Sequence, residues 1–278
     1  MGKLIDGKLI AEKIIEKTAK EVVLLKKEGK NPKLAVVLVG RDKPSETYVE
    51  NKKQIAEKIG INFELHKSEE DISEEELIEK IIEIQKDSQL SGIIVQLPIP
   101  NHINTKTILN TVRPELDVDY LTDANYKKLE ENTNDILPPT PGAIVEIIKE
   151  LNVNLSNKNV VIIGKGILVG KPLAVIMKNM GANVVICDSQ TTDVQEKCLK
   201  ADIIITGVGK KDILRGCMVK NGAIVIDAGT SFENEKMYGD VNVAEVLDIA
   251  SYVTPTPGGV GPITVAMLLW NTVVCAQK

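Results

Sequence analysis

"NVVIIGKGILVGKPLA", residues 159–174, decides the fold. Val160 to Ile163 are four consecutive β-branched residues, the composition of a strand buried on both faces. Gly164, Gly166 and Gly170 follow, and then a helical pattern opened by Pro172. In a strand–turn–helix of this kind, glycines let backbone amides approach a pyrophosphate, and the helix N-terminus favours negative charge. The spacing is G-x-G-x-x-x-G, one residue longer than the usual fingerprint, so the glycines alone are also compatible with a tight turn that binds nothing.

The flanking sequence favours the nucleotide reading. "NVVICD", "DIIITGVG" and "AIVIDAG" are three more strand candidates, separated by helical pieces. Alternating β and α units predict an α/β fold, here a Rossmann-like, doubly wound parallel sheet. The second strand ends at Asp188, 24 residues beyond Gly164. An acid there accepts from the ribose 2′-OH of NAD and repels the 2′-phosphate of NADP. Lys165 argues the other way, since its ammonium can pair with that phosphate. The residues therefore leave NAD and NADP both open.

The first half also alternates. "LIAEKIIEKTAKEVVLLKKEG" has helical periodicity and a Gly29 stop. "KLAVVLVG", "INFELHK" and "SGIIVQLPIP" read as strands, and "SEEELIEKIIEIQKD" as a helix with a Ser73/Glu76 capping box. A proline-rich stretch from Arg113 to Gly142 accommodates no regular strand. The expected division is therefore 1–119 and 120–278, two α/β domains. The C-terminal "PITVAMLLWNTVVCAQ" reads as a buried helix packing back towards the first domain.

Of the 278 residues, 43% are hydrophobic but only 3% aromatic, so the core must be aliphatic. A net charge of −5 argues against a nucleic-acid surface. Cys187, Cys198, Cys217 and Cys275 show neither a CxxC pair nor zinc spacing, so no metal is expected, and a reduced, cytoplasmic protein is. No apolar run approaches membrane length and no signal peptide is evident, so no membrane association is expected.

"SETYVENKKQ", residues 45–54, places Tyr48 and Lys52 four apart, on one face of a helix. Taken alone, these ten residues read better as an amphipathic helix with a solvated lysine. "YVENKK", "GIIVQLPIP", "PELDVD", "PPTPGA", "VIIGKGILVGKPLA", "ADIIITGVGK" and "VTPTPGGVGPITVAMLLWNT" together resemble the bifunctional methylenetetrahydrofolate dehydrogenase/cyclohydrolase family, in its order and spacing along essentially the whole chain.

The resemblance implies a folate site of Tyr48, Lys52, Gln96 and Asp119, with Val95 and Leu97 beside Gln96 and a cleft lined by Pro257, Gly258, Gly259, Val260 and Gly261. It also implies a nicotinamide nucleotide along Gly164, Lys165, Gly166 and Gly170, near Asp188, Ser189 and Thr230, and a homodimer. The chain departs from the family at Tyr120 (glycine), Pro139 (cysteine), Lys165 and Gly166 (arginine and serine), Asp188 (histidine) and Asn242 (aspartate). The folate residues match and the nucleotide residues do not. Two other readings thus stand: a cyclohydrolase with a degraded nucleotide site, and a non-catalytic nucleotide-sensing scaffold.

Overall fold

The computed structural model describes residues 2–234 and 236–278. In chain order the elements begin β1 (Lys3–Leu4), α1 (Gly7–Lys27), β2 (Lys33–Val39), α2 (Lys43–Lys58), β3 (Asn62–Ser68), α3 (Glu74–Ile84), β4 (Gly92–Val95) and α4 (Thr105–Thr111). Next come α5 (Asp123–Glu130), α6 (Pro139–Glu150), β5 (Asn159–Ile163), α7 (Gly170–Asn179), β6 (Asn183–Cys187), α8 (Val194–Lys200) and β7 (Ile203–Thr206). The chain ends with β8 (Ile224–Asp227), β9 (Ser231–Glu233), β10 (Lys236–Tyr238), α9 (Val243–Val246), β11 (Tyr252–Val253) and α10 (Val260–Gln277).

Two compact units are present, and a single cut does not separate them. One comprises residues 1–12, 129–133 and 140–264; the other comprises 13–128, 134–139 and 265–278. This differs from the division at 119/120. The reason is pairing: β1 lies parallel to β11, so the N-terminus completes the sheet formed by the second half. The end of α10 packs Val265, Leu268, Leu269 and Val273 among Leu34, Val36 and Ile94.

In the first unit a six-stranded sheet is parallel throughout, in the order β1-β11-β8-β7-β5-β6. The chain moves from β5 outward to β6 and returns to β7 on the other side of β5. That reversal is a topological switch point, where open α/β sheets bind ligands beyond the carboxyl ends of their strands. The four long strand candidates fall where the sequence places them. The two-residue strands β1 and β11 and the antiparallel hairpin β9–β10 are additions that periodicity does not reveal.

In the second unit β3, β2 and β4 form a parallel sheet. Leu34 to Val39 are all buried, as expected of a strand covered on both faces. The Ser73/Glu76 capping box is formed. The proline-rich stretch holds more helix than expected: α5 lies inside it, and α6 starts at Pro139, ahead of the expected "AIVEIIKELN". Proline is well tolerated as a first helical residue, because its missing N–H has no partner there. The helix α10 corrects another expectation: by length and composition it is apolar enough to cross a membrane. Its buried positions, including Ala266, Leu268, Leu269, Asn271 and Thr272, mark a core helix of the folded chain.

Candidate functional site

In the second unit, α2 carries Tyr48 and Lys52. Asp42 caps this helix, accepting from the Ser45 N–H at 2.9 Å and the Ser45 hydroxyl at 2.6 Å. Val49 and Ala56 are fully buried on one stripe, and Lys52 lies three residues after Val49 and four before Ala56. The lysine is therefore drawn to the packed face and not to solvent, against the bland reading of the ten-residue stretch. It is half-buried, and its Nζ donates to Gln96 Oε1 at 2.8 Å.

Gln96 leaves the carboxyl end of β4, with its N–H on Val37 O at 2.8 Å. Its Nε2 donates to Leu97 O at 2.8 Å, which directs the amide oxygen at the lysine. Val95 is buried; Leu97 and Tyr48 are half-buried. A bridge between Ile93 and Asp117 runs the segment Leu116–Asp119 beside β4. Gly92 makes room for it, since a Cβ there would lie 2.6 Å from a Val118 methyl.

Asp117 accepts from Leu121 N, Thr122 N and Asn125 Nδ2, which fixes the turn after β4's neighbouring segment. Asp119 is different. Burial pushes its carboxyl up to about 6, although the Lys52 ammonium pulls the other way and Asp117 pushes with burial. Burial also lowers the Lys52 pKa, while the charge of Asp119 opposes the fall. Burial thus shifts the acid up and the amine down, and paired perturbations of this kind mark groups suited to moving protons. Tyr120 follows at φ +62°, where the family's glycine costs nothing and a tyrosine is strained. Its ring is buried, which offsets part of that cost, and burial pushes its hydroxyl up to about 12.

One residue escaped the sequence reading. Asn271, fully buried on α10, donates through Nδ2 to Val118 O at 2.9 Å and to Leu137 O at 2.8 Å, so it braces the segment that presents Asp119. Its Oδ1 is buried without a hydrogen-bond partner. Such an acceptor is costly, and the two clamped carbonyls are what the amide gains. Asn271→Leu strands both carbonyls and is expected to lower stability by about 1–3 kcal/mol. Denaturant unfolding checks this, and a variant as stable as the parent would contradict it.

In the first unit the glycine turn has the expected shape. Gly164 has φ +112°, and a Cβ on it would meet Gly207 O at 2.7 Å. A Cβ on Gly170 would lie 2.0 Å from Gly164 O, so only glycine lets α7 start so close to β5. Gly166 borders open space, and Val169 caps α7 without a side-chain hydrogen bond. The helix starts at Gly170, two residues before Pro172, and its first amides carry no side-chain acceptor. This cradle fits a pyrophosphate.

Lys165, Asp188 and Ser189 are exposed, and Thr230 is half-buried. Asp188 Oδ1 accepts from Gln190 N at 3.1 Å and Thr191 Oγ1 at 3.2 Å, so the carboxylate is held in a local turn at the end of β6. Pro257 to Gly261 lead from β11 into α10, with Gly258 at φ +98°. Gly259 and Val260 are buried there, and Pro257 and Gly261 are exposed. Asn242 caps α9 through Glu245 N at 3.2 Å. Among the described residues no group of three or more His, Cys, Asp or Glu side chains is placed to hold a metal, and the four cysteines are free.

A parallel sheet with an open glycine turn at its switch point defines a dinucleotide-binding enzyme, and the second unit adds a lysine–glutamine–aspartate site. Comparison with known proteins gives the same class in finer detail. The model of the tetrahydrofolate dehydrogenase/cyclohydrolase catalytic domain matches residues 5–119, and that of its NAD(P)-binding domain matches 138–278. "Bifunctional protein FolD" of Acetivibrio thermocellus is 42% identical over 277 residues, 99% of this chain and 97% of that protein. The crystal structure of the bifunctional FolD methylenetetrahydrofolate dehydrogenase/cyclohydrolase from Campylobacter jejuni has a TM-score of 0.96 at 39% identity, covering 100% of this chain and 99% of that one. The Trypanosoma brucei enzyme, crystallised with NADP and an inhibitor, has a TM-score of 0.96 at 33% identity, covering 99% and 97%. The chain belongs to the tetrahydrofolate dehydrogenase/cyclohydrolase family. It is an enzyme with an NAD(P)-binding domain.

Proposed function

We propose that the chain oxidises 5,10-methylenetetrahydrofolate to the methenyl form with NAD(P), then hydrolyses that product to 10-formyltetrahydrofolate, with Lys52, Tyr48, Gln96 and Asp119 carrying the folate chemistry. The observation that carries this reading is the 2.8 Å contact between Lys52 Nζ and Gln96 Oε1, on an amine whose pKa burial depresses. A bound nicotinamide nucleotide supplies the hydride acceptor. The glycine turn of Gly164, Gly166 and Gly170 would hold its pyrophosphate, with Ser189 and Thr230 as further contacts.

The oxidised folate is a cationic amidinium. Water adds to its carbon, and the ring opens when a proton reaches the departing nitrogen. Lys52, neutral, takes the proton from the water and then returns it. Gln96 fixes the amine through its carbonyl oxygen. Tyr48, one helical turn away, stacks on and hydrogen-bonds the substrate, and ionised Asp119 accepts from the pterin amino and ring N–H groups. Loss of methenyltetrahydrofolate hydrolysis in a Lys52 variant that still binds folate and nucleotide is the result that tests these roles. The free cysteines support a reducing, cytoplasmic setting. The family resemblance supports a homodimer in which one nucleotide-binding domain meets another.

For the nucleotide, the reading is that NAD serves at least as well as NADP, although the T. brucei relative was crystallised with NADP. Two observations support it. The Asp188 carboxylate is fixed at the end of β6, where it repels a 2′-phosphate. Gly166 lacks a hydroxyl, and Lys165 offers a point charge without the fork of an arginine. Asp188→Ser is expected to move the kcat/KM ratio towards NADP. A parent enzyme that favours NADP by more than about tenfold, a difference of about 1.4 kcal/mol, would overturn this account of Asp188.

A further inference from the structure

Two buried aspartates lie beneath the loops that leave the carboxyl ends of β7 and β8, and the reaction uses neither. Asp227 ends β8 and is 2% exposed; Asp240 is fully buried. Asp227 Oδ1 accepts from the Thr206 hydroxyl at 3.0 Å, Gly229 N at 3.0 Å and Asp240 N at 3.1 Å, and Oδ2 accepts from Val241 N at 3.0 Å. Asp240 reaches the other loop, accepting from Val208 N and Lys210 N, each at 2.7 Å.

The two carboxylates are reciprocal. A Cβ on Gly239, beside Asp240, would lie 2.0 Å from Asp227 Oδ2, and a Cβ on Gly229, two residues after Asp227, would lie 2.1 Å from Asp240 Oδ1. Each acid thus occupies the space that a side chain on the other acid's loop would take. Six donors converge on two acids, so the pair ties Gly207–Lys210, Ala228–Thr230 and Gly239–Val241 into one rigid group. That group borders the glycine turn. Gly207 O is what a Cβ on Gly164 would strike, and Thr230 O lies 3.1 Å from where a Cβ on Gly209 would sit.

We infer that Asp227 and Asp240 are positioning residues for the nucleotide, holding the loops after β7 and β8 in the shape that receives it. The inference rests on the nucleotide reading of this crevice. Loops fixed before binding spare the ligand the cost of ordering them, so loosening them weakens nucleotide binding. The second activity needs no nucleotide and serves as an internal control on folding.

The test is Asp240→Asn in the full-length protein, with both activities measured. Replacing one carboxylate oxygen by an NH2 group sets donor against donor at Val208 or Lys210. The expected result is a tenfold or greater rise in nucleotide KM, with kcat/KM for methenyltetrahydrofolate hydrolysis within twofold of the parent. Gly229→Ala, which displaces the Asp240 carboxylate without altering it, is expected to do the same. Should Asp240→Asn fail to fold, Thr206→Val, which removes a single donor to Asp227, is read in its place with an expected rise of threefold or more. Unchanged nucleotide KM, or both activities falling in proportion, overturns the inference. A parent protein that binds neither NAD nor NADP by calorimetry defeats instead the nucleotide reading beneath it.

Discussion

Replacing Lys52 by methionine is expected to lower the rate of methenyltetrahydrofolate hydrolysis by about 10²–10⁴-fold, the usual contribution of a positioned general acid–base group. Methionine keeps most of the side-chain volume, so the stripe formed with Val49 and Ala56 stays packed and only the amine is lost. The dehydrogenase step moves a hydride and needs no acid, so part of it survives. In the parent enzyme the hydrolysis rate should rise with pH, because burial lowers the Lys52 pKa and only the neutral amine accepts a proton. Asp119 binds the substrate, so its protonation near a pH of about 6 should raise the folate KM on the acid side and leave the rate at saturation to Lys52. A methionine variant that hydrolyses the methenyl compound at close to the parent rate would show that Lys52 does not act in this way.

Asp119→Ala is expected to weaken folate binding by about 1.5–3 kcal/mol, the usual loss for a hydrogen bond to a charged group, and to leave nucleotide binding intact. It has a second consequence. The charge of Asp119 opposes the burial that lowers the Lys52 pKa, so removing it lets that pKa fall further. The acid limb of the hydrolysis profile should then move to lower pH. Calorimetry with folate and with nucleotide separates the two ligands. An unchanged folate dissociation constant would contradict the contact, and an unmoved acid limb would contradict the coupling.

What was legible in the sequence follows the range of the signal. Val160–Ile163, Ile203–Thr206 and Ile224–Asp227 are buried on both faces, and continuous apolar runs announce such strands. The glycine turn is a local motif, and Gly164 and Gly170 are glycines because backbone oxygens crowd them. Lys3–Leu4 and Tyr252–Val253 are two residues each, too short for any period, yet their pairing carries the N-terminus into the sheet of the second half. Asn271 to Val118 spans 153 positions, and such a pair leaves no trace in local pattern. Asp227 and Asp240 look like ordinary loop acids until their donors are seen. Lys52 lies between these cases: its helix face was readable, and its partner Gln96 became visible only through family resemblance.

The most direct measurement follows one sample of the purified protein spectroscopically after mixing with 5,10-methylenetetrahydrofolate and NAD or NADP. The account predicts that absorbance of the reduced nicotinamide grows, that the methenyl band passes through a transient or stays low, and that 10-formyltetrahydrofolate accumulates. It also predicts that added methenyltetrahydrofolate is hydrolysed without any nucleotide. Hydrolysis with no nucleotide reduction under either cofactor would leave a cyclohydrolase alone, and neither reaction would contradict the account as a whole.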